Sequence, residues 1–153
     1  MAIKSPQGFT LVELIVVIVI LGILAATALP RFINISLDAR KASVQGFSGG
    51  VSSGAALVQA QWFTAGSSAA TSVTMGDNQV VVVSSGTGLP AATASGIGIA
   101  IRCETSTVCG NFTADYNTPP TAVFALNGAP DPANCRVTYN GTTGAVTTAS
   151  GCN

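Results

Sequence analysis

The sequence of 153 residues contains no histidine, and only 8% of its residues are charged. Histidine is the commonest general base and the commonest metal ligand, so its absence argues against an ordinary enzyme or metalloprotein. The acidic residues are scattered, with no close pair at a catalytic or metal-binding spacing: Glu13, Asp38, Asp77, Glu104, Asp115 and Asp131. The sequence therefore predicts a protein that is not an enzyme and needs neither a metal nor another cofactor.

The chain also lacks an excess of either charge, since 6 Lys and Arg residues balance 6 Asp and Glu residues. A nucleic-acid-binding domain needs a basic patch, so this balance predicts no nucleic-acid partner. The length suits one domain. Its low charge comes partly from an apolar N-terminus and partly from a body rich in small neutral residues.

A long apolar stretch follows a short leader that ends in Gly8. The 21 residues from 9 to 29 are interrupted by one charge, Glu13, and as a helix they would extend about 30 Å, enough to cross a bilayer core. A secretory signal peptide is cut after its apolar region. Here we expect the processing point before that region, so that the helix remains in the mature protein as a single membrane span, with Lys4 on the cytoplasmic side.

Helical periodicity resumes beyond Pro30. Apolar residues recur at steps of three and four, which is typical of an amphipathic helix: Ile33, Leu37, Val44, Phe47, Val51, Ala55, Val58 and Trp62. We expect one helix from 9 to about 63, in which the apolar first half projects and the second half covers a sheet. Gly22 and Pro30 are the predicted kink sites, because one weakens a helix and the other lacks an amide donor.

The candidate strands all follow this helix. Residues 79–84, 97–103 and 121–126 have strand-like composition, and 135–139 and 145–148 flank an Asn-Gly turn typical of a hairpin. These elements predict an α+β fold with an antiparallel sheet of about four strands. The predicted organisation is a leader at 1–8, an apolar helix at 9–30 and a globular domain at 31–153, with its helical half at 31–63 and its sheet at 79–153.

Four cysteines lie in the C-terminal third, and an even number beyond a membrane segment indicates disulfides in an oxidising compartment. A zinc site is disfavoured because no C-x2-C spacing occurs. Four cysteines allow three pairings. Local pairing closes the shortest loops, which favours Cys103–Cys109 and Cys135–Cys152.

The run from Gly8 to Glu13 followed by an uncharged helix resembles the processing signal of type IV pilins and pseudopilins. This resemblance implies that a prepilin peptidase cuts between Gly8 and Phe9 and methylates the new N-terminus at Phe9. It also implies the pilin fold and a precursor in the bacterial inner membrane that is later moved to a surface fimbrium by assembly machinery. The main partner is then the chain itself, in a helical homopolymer.

A narrower resemblance follows downstream. The blocks at 29–34, 38–40 and 42–46, together with 134–139 and Cys152, look like the mannose-sensitive haemagglutinin (MSHA) branch of type IV pilins. This resemblance implies a pilus used in attachment, with surface carbohydrate as a candidate ligand, although no residue identifies a sugar site. Cys103 and Cys109 have no counterpart in the family pattern.

Glu13 lies four residues after the expected new N-terminus, so its carboxylate is within reach of the Phe9 amine in one helix. The pilin family favours pairing between neighbouring subunits, which would neutralise a buried charge and set the register of assembly. The alternative is that Glu13 only flanks a membrane anchor.

Two other functions remain open at the level of sequence. One is a type II secretion pseudopilin, which shares the N-terminus and forms a short periplasmic filament; the four cysteines and the block from 30 to 46 favour the pilus. The other is a membrane-anchored binding module or enzyme, which the missing histidine and dispersed carboxylates disfavour.

Overall fold

A computed structural model describes residues 8–66 and 69–153, without the side chains of 28–34. The chain divides into two compact units, Met1–Ser36 and Leu37–Asn153. The architecture is α+β, with a long N-terminal helix followed by antiparallel sheet, as the sequence predicts.

Helix α1 spans Leu11–Thr64, which is 54 residues. Its assignment continues through both Gly22 and Pro30. The side chain of Pro30 lies outside the described residues, and a kink at either position stays a prediction. Among the described residues, no helix combines the length and apolar character required to cross a membrane. The predicted span from 9 to 29 ends at two residues whose side chains are not described.

Seven strands form two antiparallel sheets in the described part of the chain. The smaller sheet pairs β1 (Ser72–Thr74) with β2 (Val80–Val82). The larger sheet has five strands in the order β3-β4-β5-β6-β7, so each strand pairs with its neighbours along the chain. Its strands are β3 (Val108–Cys109), β4 (Phe112–Thr118), β5 (Thr121–Leu126), β6 (Cys135–Asn140) and β7 (Val146–Ser150).

One face of the larger sheet packs against the second half of α1. Val44 and Val51 of α1 join Phe124 and Tyr139 of the sheet in one buried cluster. Phe47 stacks on Phe112, with ring centroids 4.1 Å apart. A second cluster joins the end of α1 to the smaller sheet: Val58, Trp62, Val73, Val81 and Val83. The part of α1 that lies in the globular unit therefore packs against both sheets of the same chain.

The strands at 121–126 and in the C-terminal hairpin are confirmed, and 79–84 contains β2. The larger sheet has five strands rather than about four, because β3 and β4 carry too little apolar pattern to be recognised.

The strand expected at 97–103 is wrong. Ala94–Gly98 forms a π-helical turn, and helix continues through 99–100. The Thr93 hydroxyl accepts a hydrogen bond from Gly96 N at 3.0 Å, and Ile97 N donates to Ala91 O at 2.8 Å. A Cβ on residue 96 would collide with the Ala91 carbonyl, so glycine is required there.

Candidate functional site

The N-terminal apolar segment, defined as residues 9–27, exposes its large side chains. Their exposed fractions range from 46% at Ile15 to 91% at Phe9. Beyond Glu13 the segment has no charge and would therefore gain little from contact with water. Contiguous exposed apolar surface of this kind marks an interaction site for a membrane or for protein.

Three hydrogen bonds between Thr10 and Glu13 lie at the start of helix α1. The Glu13 carboxylate accepts from the Thr10 backbone N–H at 2.9 Å and from the Thr10 hydroxyl at 3.0 Å. The Glu13 backbone N–H donates to Thr10 Oγ1 at 3.3 Å. This is a capping box, which supplies partners for N–H groups that lack an acceptor at a helix start.

Sequence reasoning identified Glu13 but missed Thr10. The pattern of threonine followed three residues later by glutamate, immediately before an apolar run, is the recognised signal for a capping box. In the single chain the carboxylate thus bonds to Thr10, and its predicted pairing with the Phe9 amine stays a prediction. Gly8 and Phe9 lie just before the helix and are exposed, while residues 1–7 of the predicted leader lie outside the described residues.

Both pairs of cysteines favoured by loop length are bonded. Cys103 is joined to Cys109, and Cys135 to Cys152. Cys135 and Cys152 are fully buried, and Arg40 of α1 donates to the Cys152 carbonyl at 3.4 Å. The second disulfide therefore attaches the end of the chain to β6 beside the helix.

The loop closed by Cys103 and Cys109 also contains an exposed acidic residue, Glu104. Glu104 accepts a hydrogen bond from the Gly110 N–H at 2.8 Å, and this bond lowers the pKa of its carboxyl. Nearby, Arg102 pairs with Asp77 at 2.9 Å beside a cleft of about 280 Å³. The Arg102 side chain is 81% exposed, so this pair contributes little to stability.

Tyr139 is the largest fully buried side chain among the described residues. Its hydroxyl donates to Pro90 O at 2.8 Å, and burial raises its pKa to about 12. The group is a structural donor rather than a proton carrier at ordinary pH. Within the described residues, no three His, Cys, Asp or Glu side chains form a group able to hold a metal.

Comparison with known proteins identifies a sequence motif that includes the N-terminal apolar segment. Residues 3–29 match the family described as "Prokaryotic N-terminal methylation motif". Over 55 residues the chain is 46% identical to the type IV narrow pilus major component PilA5 of Thermus thermophilus. That alignment covers 36% of this chain and 47% of the relative, so the chain spans about half the length of the curated relative it matches. No solved structure matches the chain.

Proposed function

We propose that the chain is a structural subunit of an extracellular type IV pilus, which polymerises through its N-terminal helix. The observation that carries the proposal is the contrast within α1: Ile15 to Leu24 stay exposed, whereas Val44 to Trp62 include a stripe buried by the chain's own sheets. The methylation motif covers the exposed part. A segment that its own chain leaves uncovered fits storage in lipid followed by packing against identical helices.

Processing would prepare this segment for assembly. A prepilin peptidase would cut between Gly8 and Phe9 and methylate Phe9, leaving an amine four residues before Glu13. Before assembly, the helix would hold the subunit in the inner membrane. Lipid is already apolar, so transfer into the filament gains less than transfer from water, and helix packing must contribute. The assembly machinery would supply the energy for extraction.

The subtype is a finer part of the proposal. The block from 29 to 46 and the segment at 134–139 support an MSHA-like pilus used in surface attachment, with carbohydrate as a candidate ligand. The segment at 134–139 spans most of β6, and Cys135 bonds to Cys152. A role of this region in the exposed edge of a subunit would suit attachment.

The test separates two roles of Glu13. Glu13→Gln keeps a side chain able to complete the capping box but removes the charge. Thr10→Ala removes the capping hydroxyl and keeps the charge. If the charge pairs with the Phe9 amine of another subunit, Glu13→Gln should abolish surface filaments, while Thr10→Ala should leave filaments that assemble less efficiently. Negative-stain imaging of cells provides the measurement.

Asp38→Ala is the matched control, since Asp38 is an exposed acid on the same helix. It should leave filament number and length unchanged. Normal filaments in Glu13→Gln would overturn the role of the charge.

Deleting the gene distinguishes a pilus subunit from a pseudopilin. Loss of long surface fibres supports the pilus, whereas loss of protein secretion with fibres intact supports the pseudopilin.

A further inference from the structure

Strand β7 forms an open edge of the larger sheet. It pairs with β6, and within the described chain no strand lies on its other side. Asn140 N donates to Ala145 O at 2.9 Å, which fixes the alternation of the ladder. In an antiparallel pair every second residue bonds to the partner strand. Val146, Thr148 and Ser150 therefore direct their backbone groups away from β6.

The opposite edge of the same sheet is protected. Strand β3 has two residues and ends at Cys109, whose disulfide to Cys103 closes a loop that carries Glu104. Short edges and nearby charges hinder the addition of another strand. In contrast, β7 has five residues with neither charge nor proline, and Thr147, Thr148 and Ser150 are exposed. By the same criteria, β7 is a ready template for pairing.

We propose that β7 pairs antiparallel with β7 of a second copy in a neighbouring filament, so that pili associate side by side. This inference rests on the proposed function, since a filament presents many identical edges. With Thr148 opposite its own counterpart, Val146 of each copy would face Ser150 of the other. All three outward residues would then exchange N–H···O=C bonds.

The second copy is favoured by the absence of charge. A charged edge strand would meet its own like charge in a two-fold pair, which is unfavourable. No residue from 146 to 150 carries charge, and cross-strand Thr–Thr pairs are favourable. One pair of five-residue strands covers far less than the 1,200–2,000 Å² or so of a stable interface. Single contacts are weak, and repetition along two filaments would strengthen them.

The first test adds charge to the edge of assembled filaments. Thr148→Lys places like charges opposite each other, and Thr148→Pro removes one outward N–H without removing a bond to β6. Both variants should form single filaments in normal number, with bundles lost in negative-stain images and in low-speed sedimentation. Thr107→Lys is the matched control, because Thr107 is exposed near the β3 edge; its filaments should still form bundles.

A cross-link tests the register. Opposed Cα atoms in a hydrogen-bonded pair lie about 5.5 Å apart, which suits a disulfide. Oxidised Thr148→Cys filaments should give covalent dimers, and Thr107→Cys filaments should not. Bundles that persist in Thr148→Lys, equal dimer yields from both cysteine variants, or wild-type filaments that remain single would each overturn the inference. In those outcomes the filaments still form and the proposed function stands; an absence of wild-type filaments contradicts the proposed function itself.

Discussion

Two valines of helix α1 show how one element serves two environments. Val16 lies in the N-terminal apolar segment and is 50% exposed, whereas Val51 lies on the buried stripe and is 1% exposed. Both are β-branched residues in the same helix, so helix propensity does not separate them. The difference lies in packing: Val51 belongs to the core that includes Phe124 and Val137 of the sheet, and among the described residues Val16 belongs to neither buried cluster. Whether an apolar side chain of α1 is buried or exposed therefore depends on the elements that pack against it.

The two regions of the helix differ in whether the free energy of burying their apolar side chains is already gained within the chain. Fully burying a valine-sized side chain contributes about 1.5–3 kcal/mol relative to leaving it in water. In the second region this gain is already realised within the chain. In the first region it remains available to lipid or to another subunit, as the proposed function requires. Stability of the globular unit and assembly of the proposed filament should therefore respond to different substitutions.

The largest expected effect is a buried charge on the second region. Val51→Asp would place an unpaired carboxylate among Val44, Phe124 and the rest of the core, and such burial costs more than a small domain can offset. The cooperative transition of the globular unit should disappear. Urea unfolding in detergent, followed by fluorescence of Trp62, would measure it, since the chain has 1 Trp.

The matched variant on the first region is Val16→Asp. It should leave the urea midpoint unchanged and abolish filaments, because an acid would enter the surface that meets lipid and other subunits in the proposed function. If both variants lowered the midpoint equally, the separation of the two regions would be wrong. If Val16→Asp assembled normally, the segment would have no part in the filament.

The next largest effect comes from removing either disulfide of the globular unit. Cys135 and Cys152 are separated by 17 positions, and alanine substitution of both should lower the free energy of unfolding by about 3 kcal/mol, from loop closure alone. Cys103 and Cys109 are separated by 6 positions, and the same change there should lower it by about 2 kcal/mol. Urea titration of both double variants gives the values. The reverse order would show that local packing, rather than loop length, dominates.

The core half of the helix was predictable because its period of three and four residues is strong from Val44 to Trp62. Strands β5 to β7 were also predictable, since β5 is a short apolar run and the apolar residues of β6 alternate with polar ones. An Asn-Gly turn follows β6 and precedes β7. The segment at 97–103 also alternates, yet its residues 97–100 are helical and none of it is a strand. Its backbone is set by local contacts, because Thr93 caps the turn and Gly96 approaches the Ala91 backbone closely. The spacing of apolar residues does not record such contacts.

The functional features also include some that the sequence predicts and one that it does not. Glu13 stands out as a charge in an apolar run, so the sequence identifies it without a structure. Its bonds to Thr10 follow a local pattern and could have been predicted. The open edge at β7 could not, because it depends on strand order and on which backbone groups face outward.

The smallest effect concerns glycines on the same helix. A Cβ on Gly49 would meet nothing within 4 Å, so Gly49→Ala should raise the free energy of unfolding by up to about 1 kcal/mol through helix propensity. A Cβ on Gly54 would lie 3.0 Å from Ile101 Cγ2 and 3.2 Å from Ala100 O, so Gly54→Ala should gain less or lose stability. Gly22→Ala, in the apolar segment, should leave the urea midpoint unchanged. A shift for Gly22→Ala as large as that for Gly49→Ala would show that the two regions of the helix unfold as one, and the comparison of Val16 with Val51 would then describe one cooperative structure.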